Sequence, residues 1–228
     1  MELKENERID DLQYNGLKII QNKDAFCFGI DAVLLANFAK NIKDNATVVD
    51  LCSGTGIIAI LIEAKTKCSK IYAVEIQKEM SEMARRSVEF NNQQNKIEVL
   101  NNDLKDIDKI LGKASVDAIT VNPPYKKKGS GIINEIDTKT IARHEIFCTL
   151  EDIIEVADKV LKIGGSLYMI HRMERLVDVL STMRNNRIEP KRIKFIHPSV
   201  DKAPNLFLIE GIKHGKAFLK VEKSEYVW

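Results

Sequence analysis

TVVDLCSGTGIIAI, residues 47–60, begins as a β-branched apolar run and ends as a helical pattern, with Gly54 and Gly56 between them. A strand that turns through glycines straight into a helix is the first turn of a doubly wound α/β sheet, where ligands sit beyond the carboxyl ends of the strands. The glycines remove side chains where a ligand approaches the backbone, and the helix start presents unpaired N–H groups.

Outward from this stretch the chain alternates short apolar runs with longer helical patterns, the signature of a parallel sheet with crossover helices. TVVDLC, KIYAVEI, KIEVLN, VDAITVN and SLYMIH read as the first five strands. Between them lie GIIAILIEAKT, with Ile57, Ile60, Leu61 and Ala64 on one face, and KEMSEMARRSVEFNNQ, which buries Met80, Met83, Ala84, Val88 and Phe90. A helix over about residues 150–162 stops at Gly164 and Gly165, a pair suited to positive φ at a helix end. Another helix covers about residues 173–186, and KRIKFIHP and NLFLIEGIK pair as an antiparallel hairpin across SVDKAP. The expected fold is Rossmann-like: a seven-stranded, mostly parallel sheet with an antiparallel last strand and helices on both faces. Ahead of it, residues 11–37 hold a hairpin turning at Asn22 to Asp24 and a helix N-capped by Asp31. The chain thus reads as one domain, with an N-terminal hairpin and helix extension over 1–45 and the core over 46–228.

The composition fits an ordinary globular protein: 228 residues, 44% hydrophobic and 30% charged. No apolar run approaches the roughly 20 residues that span a bilayer. The opening MELKENERIDD is too charged for a signal peptide, so a cytoplasmic protein is expected. Cys27, Cys52, Cys68 and Cys148 are widely spaced with no C-x-x-C pair; they read as buried reduced thiols, with neither metal nor disulfide framework. A net charge of +2 does not announce a nucleic-acid binder, so local patches carry that case. There are two: Lys126, Lys127 and Lys128, and the run Arg184, Arg187, Lys191, Arg192 and Lys194, interrupted by Glu189. A charge run taken alone is more often a solvated face than a phosphate contact.

Three acids stand at three successive strand ends. Asp50 precedes the glycines, where it would repel a pyrophosphate and attract an ammonium, and Ala59 takes the place of the third glycine of the dinucleotide fingerprint. S-adenosylmethionine carries such an ammonium and no phosphate. Glu75 follows Gly56 by 19 residues, placed to accept hydrogen bonds from both ribose hydroxyls of a nucleoside. Asp103 ends the third strand, where a carboxylate can accept from an adenine amine.

The fourth strand ends in VNPPYKKKG, residues 121–129, beside the first strand across the switch in strand order. Pro123 and Pro124 fix the turn and donate no backbone hydrogen bond, so the corner is rich in acceptors. The Asn122 side-chain oxygen and the Pro123 carbonyl can converge on one planar amino group, and Tyr125 supplies a face on which a base or amide stacks. Two acceptors gripping an exocyclic amine aim its nitrogen lone pair at a methyl donor.

In this order and spacing, DLCSGTG, Glu75, NND and NPPY resemble the class I S-adenosylmethionine-dependent methyltransferases, in the branch that methylates amino groups. FGIDAVLLANF, NPPYKKKGSG, IARHE, TLEDI, HRMERL, EPKRIKFIHP and LIEGIKHG together resemble the bacterial tRNA1(Val) adenine-N6 methyltransferase family over about residues 10–222. The resemblance implies N6 methylation of the adenosine 3′ of the anticodon, position 37, with S-adenosylmethionine as cofactor and tRNA as partner. It assigns Asp50, Gly54, Gly56, Glu75, Ile76, Asp103, Leu104 and Asn122 to the cofactor pocket, and Phe28, Gly29 and Asp31 to a lid over its methionine end. Asn122, Pro123, Pro124 and Tyr125 address the target amine, while Lys126, Lys127, Lys128, Arg143, Arg172 and Arg192 are the candidate RNA contacts. Cys52 and Ser53 depart from the Gly or Thr common in related loops, and both remain small. Arg143, His144 and Glu145 read equally as a salt-bridged loop, and His171 and Arg172 end the fifth strand.

Three other readings compete. A protein glutamine-N5 methyltransferase asks the same of NPPY, but such enzymes usually carry a separate helical N-terminal domain, and only about 45 residues precede the first strand here. A non-catalytic nucleoside-binding module would have favoured a mutated NPPY corner. A nicotinamide dehydrogenase is opposed by Asp50 and by the lack of an obvious proton relay.

Overall fold

The computed structural model describes residues 3–23, 29–123 and 148–227. Strands β1 (Glu7–Asp11) and β2 (Lys18–Asn22) form an antiparallel hairpin, followed by helix α1 (Ile30–Phe38). The core then runs β3 (Thr47–Leu51), α2 (Ile57–Lys65), β4 (Lys70–Val74), α3 (Lys78–Phe90), β5 (Ile97–Leu100), α4 (Ile107–Leu111) and β6 (Val116–Val121). It resumes with α5 (Leu150–Val160), β7 (Leu161–Arg172), α6 (Leu176–Asn185), β8 (Ile188–His197) and β9 (Leu206–Lys213). Two short strands, β10 (Lys220–Val221) and β11 (Glu225–Tyr226), close the chain.

Across the sheet the order is β5, β4, β3, β6, β7, β9, β8, with β9 antiparallel to both neighbours. This is the expected seven-stranded arrangement with its antiparallel last strand. Unforeseen are β10 and β11, which both pair parallel to β8 and cover part of an edge otherwise open to another chain. Val48, Val49, Leu51, Ile119 and Val121 are fully buried because helices cover both faces of the central strands. One core cluster joins the sheet to α1 and α2, and the other joins it to α4, α5 and α6.

Several expectations need correction. The hairpin turns between Asp11 and Lys18, where Asn15 (φ 50°) and Gly16 (φ 72°) take left-handed conformations, and Asn22 belongs to β2. Gly29, not Asp31, occupies the N-cap of α1, and Asp31 lies in the first turn. Phe90 is exposed at the end of α3. Helix α5 ends at Val160, and the chain passes directly into β7. Gly164 (φ 77°) and Gly165 therefore form a strand irregularity opposite Asp117, where a Cβ on Gly165 would lie 2.9 Å from the Lys162 carbonyl. A positive φ requires Gly164, and close approach to the Lys162 and Asp117 carbonyls requires Gly165; neither is a helix stop.

Helix α3 holds the N-terminal hairpin against the core. The Ile20 N–H donates to Ser87 Oγ at 3.0 Å, and Asn91 both accepts from the Lys18 N–H (2.9 Å) and donates to the Lys18 carbonyl (2.7 Å). The Glu7 side chain, nearly sealed from solvent, accepts both ends of the Arg86 guanidinium at 2.7 and 2.5 Å. That pairing holds the Glu7 carboxyl below its ordinary value of 4.5. Breaking one side of a buried pair strands the other charge, so Arg86→Ala is expected to cost about 3 kcal/mol in urea unfolding at pH 7. Because the folded pKa is depressed, this contribution is present above pH 4.5 and is lost as pH falls through the folded value. A variant within 0.5 kcal/mol of the parent, a span typical of surface changes, would place the pair outside the docking energy.

Candidate functional site

The parallel register brings the strand ends level. Leu51 of β3 aligns with Val74 of β4 and Val121 of β6, Val74 aligns with Leu100 of β5, and Val121 with Met169 of β7. One residue further on stand Cys52, Glu75, Asn101 and Asn122, so these four share one edge of the sheet. The ladder continues into the loops, with Ser53 N–H donating to the Val74 carbonyl and Glu75 N–H to the Leu100 carbonyl, each at 3.0 Å.

Between β3 and α2 the backbone is left-handed three times in five residues, at Cys52 (φ 56°), Gly54 (φ 55°) and Gly56 (φ 87°). The two glycines have different reasons. A Cβ on Gly56 would come within 3.2 Å of Ala84 Cβ on α3, so its place is also fixed by helix packing. A Cβ on Gly54 would meet nothing within 4 Å, which leaves open space beside the loop.

Asp50 has no exposure to solvent. Its Oδ1 accepts from the Thr120 hydroxyl at 2.7 Å, directly across the β3–β6 register, while Oδ2 has no hydrogen-bond partner among the described residues. Burial pushes the carboxyl up to about 7, partly offset by Thr120 and the Ala59 backbone N–H; nearby Glu75 adds to the rise. Ser53 Oγ, also buried, is a second orphaned polar atom in the loop. Buried polar atoms in native folds are nearly always satisfied, so two without partners among the described residues beside one glycine loop make it the candidate for a polar ligand.

Glu75 is buried and already engaged. Its Oε2 accepts the Gly54 N–H at 2.8 Å and its Oε1 accepts the Gln77 N–H at 2.9 Å. Oε1 also accepts from the Gln77 side-chain amide at 3.4 Å, so the lone pair left for a ligand is on Oε2. Asn101 supports this corner by donating to the carbonyls of Glu75 (2.8 Å) and Ile76 (3.0 Å). Ile76 is half-exposed, whereas Leu104 is buried. Asp103 caps the 3₁₀ turn Leu104–Asp106 by accepting from the Lys105 N–H at 2.9 Å, and it pairs with Lys105 Nζ at 3.4 Å.

The structure therefore brings Asp50, Gly54, Gly56, Glu75 and Asn122 to one sheet edge. Pro123 follows Asn122 there and is buried. Gly29 and Asp31 begin α1, exposed and half-exposed respectively. Phe28, Pro124, Tyr125, the lysines at 126–128 and the Arg143–Glu145 motif lie outside the described residues. Missed by the sequence reading are Ser53, Gln77, Asn101 and Thr120. Their polar side chains at strand ends were the available signal, but pairing across the register gives them their roles.

The second basic patch requires correction. Arg192 is consumed on the sheet: it pairs with Glu210, with Glu222 at 2.9 Å, and stacks over the Phe38 ring at 4.5 Å. Lys194 meets Glu225 at 3.2 Å, Arg184 meets Glu189 at 3.2 Å, and Arg187 pairs with Asp158. These charges tie strands and helices together, so Arg192 is structural. Arg172 is exposed at the end of β7. His171 is a buried histidine stacked on Phe207, with Nδ1 accepting the Arg172 N–H at 2.9 Å; burial holds it down at about 4, hence neutral at pH 7.

Comparison with known proteins agrees with this geometry. A family model described as the methyltransferase small domain matches residues 18–186. A protein from Porphyromonas gingivalis named tRNA1(Val) (adenine(37)-N6)-methyltransferase is 27% identical over 208 residues, covering 88% of this chain and 80% of its own length. Among solved structures, a predicted O-methyltransferase from Agrobacterium tumefaciens superposes with a TM-score of 0.67 at 24% identity, covering 86% of both chains. M. jannaschii TYW2 in complex with AdoMet gives a TM-score of 0.60 at 15% identity, covering 93% of this chain and 87% of that one. The structural likenesses concern the fold. Among the described residues no helix is long and apolar enough to cross a membrane.

The raised Asp50 carboxyl has a signature in the ligand-free protein. A carboxyl that is harder to ionise folded than unfolded stabilises most below its unfolded pKa, and stability declines as pH rises to the folded value near 7. Asp50→Asn lacks that decline. Between pH 5 and 8 its stability relative to the parent is expected to improve by about 2–3 kcal/mol, read from denaturant unfolding. Parallel pH profiles for the two proteins would mean that Asp50 ionises normally.

Proposed function

From the premise that the chain belongs to the methyltransferase small domain family, we propose that it is an S-adenosylmethionine-dependent methyltransferase acting on N6 of adenosine 37 in tRNA1(Val). The observation that carries the cofactor reading is the buried Asp50 carboxylate with Oδ2 unpartnered beside the open space at Gly54. An ammonium, direct or through water, answers an orphaned buried carboxylate, and a pyrophosphate does not. The substrate reading rests on the named relatives together with the NPPY sequence at residues 122–125.

In this reading Asp50 holds the ammonium of the methionine end, and Ser53 Oγ offers a further polar contact. Glu75 accepts from the ribose hydroxyls while its bonds to Gly54 and Gln77 keep the loop in place. Ile76 supplies an apolar face for the adenine ring, and Asp103 accepts from the adenine amine with lone pairs not used in capping. The bound cofactor supplies an electrophilic sulfonium methyl. The chain's own part is to present the nucleophile: Asn122 and the Pro123 carbonyl grip the target amine, and Tyr125 stacks on its ring. Catalysis is then chiefly positioning, because the amine nitrogen needs its lone pair aimed more than it needs a base. An adenosine in an exposed tRNA loop suits such a site, since leaving a loop stack costs less than leaving a duplex.

Purified protein with labelled S-adenosylmethionine is expected to add one methyl group to an unmodified transcript of this tRNA and none to a transcript with guanosine at that position. Nucleoside mass spectrometry locates the product. Asn122→Ala should lower turnover by roughly 100-fold, the scale of a misplaced reactant. Label appearing in a protein glutamine, or at another tRNA nucleotide, would overturn the substrate assignment and leave the cofactor reading standing.

A further inference from the structure

The cofactor loop and the start of α5 bring together two thiols for which the proposed reaction has no use. Cys52 directly follows β3, and Cys148 directly precedes Thr149, the residue that caps α5. They are 96 positions apart in sequence, yet their Sγ atoms lie 3.7 Å apart. Both are half-exposed, whereas Cys68 is buried. A disulfide requires about 2.0 Å between sulfurs, so closure needs a shift of under about 2 Å.

The two thiols are not equivalent. A hydrogen bond from Cys52 lowers Cys148 below the ordinary thiol value. Cys52, hydrogen-bonded to Cys148 and desolvated, is raised. Two thiols in contact, with either sulfur able to donate to the other, are the arrangement of an oxidant-reactive pair in which one is oxidised and its neighbour resolves it.

We propose that Cys52 and Cys148 form a redox-modifiable dithiol at the cofactor loop, converted by a hydroperoxide into an intramolecular disulfide that joins the loop to the start of α5. In the first step the Cys148 thiolate attacks a peroxide oxygen and the O–O bond breaks. The displaced hydroxide or alkoxide takes up a proton, and Cys148 becomes a sulfenic acid. In the second step the Cys52 sulfur attacks the Cys148 sulfur, the S–O bond breaks, and hydroxide leaves with the Cys52 proton as water. Two thiols lose two electrons and two protons, and the peroxide is reduced to water and water or alcohol. The chemistry requires neither cofactor nor RNA, so it goes beyond the methyltransferase reading and does not depend on it.

The test uses the full chain, reduced, freed of reductant and exposed to hydrogen peroxide at pH 7. Remaining thiols are alkylated under denaturing conditions and the digest is mapped by mass spectrometry. The expected product is a peptide pair linked through Cys52 and Cys148, reversed by a thiol reductant and formed at least roughly tenfold faster than oxidation of buried Cys68. Cys52→Ser should leave Cys148 as a sulfenic acid that dimedone traps, and Cys148→Ser should abolish the linked pair. Recovery of both cysteines as free thiols, their separate conversion to sulfinic acids, or linkage through Cys27 or Cys68 would each overturn the proposal. None of these readouts involves methyl transfer, so they remain decisive if the methyltransferase reading fails.

Discussion

A carboxylate sealed from solvent, with one oxygen that has no partner among the described residues, is the constraint on which the candidate site depends. Asp50 sits in the middle strand of a sheet whose neighbouring residues are apolar and buried on both faces. Stability gives no reason to keep it there, since an apolar residue of similar size would pack in β3 without the cost of desolvation. The chain reduces that cost in two ways: Thr120 donates across the β3–β6 register, and the helix that starts at Ile57 brings the Ala59 N–H to bear. Neither satisfies Oδ2. In the proposed reading, an ammonium received there offsets that expense.

The loop around Asp50 divides its requirements among residues that look alike in sequence. Gly56 turns the backbone and lets α3 approach through Ala84, so its first duty is to the packing of α2 and α3. Gly54 turns the backbone with nothing packed against it, so its duty is to what binds. Glu75 connects them: by accepting the Gly54 N–H it fixes the loop from the neighbouring strand end. Asn101 then fixes the backbone that carries Glu75, through the carbonyls of Glu75 and Ile76. Preorganisation of this kind places ligand-binding groups at the ends of rigid strands and ties them by hydrogen bonds that do not depend on the ligand.

The sheet was legible because its signals are local and repeated. Alternation of β-branched runs with helical patterns defines seven strands, and a glycine turn after the first defines the switch point. Where the reading failed, a stronger local signal lost to a weaker one or the signal was not local. Asn15-Gly16 is a better hairpin turn than Asn22 to Asp24, because both its residues accept positive φ. Gly164-Gly165 looks like a helix stop, yet tertiary pairing to β6 claims it for a strand. The charge run from Arg184 to Lys194 looked exposed because most of its partners are distant in sequence: Glu222 is 30 positions from Arg192, and Glu225 is 31 from Lys194. Cys52 and Cys148 looked isolated for the same reason. No spacing rule joins residues 96 positions apart; only the alignment of strand ends does.

The neutralised patch on β8 changes where an RNA backbone could be held. With a net charge of only +2, and with Arg184, Arg187, Arg192 and Lys194 paired to glutamates and aspartates, that run offers less free positive charge than its sequence suggests. Phosphate contacts need cations that are not already paired, because counterion release from the nucleic acid supplies most of the affinity. The lysines at 126–128 follow directly on Asn122 and Pro123, the strand end that shares an edge with Asp50 and Glu75. If the substrate is RNA, its backbone attraction and the grip on its base thus fall within seven consecutive residues. Affinity for the strand and alignment of the reacting nitrogen would then rise and fall together, because the residues proposed for both are neighbours in sequence.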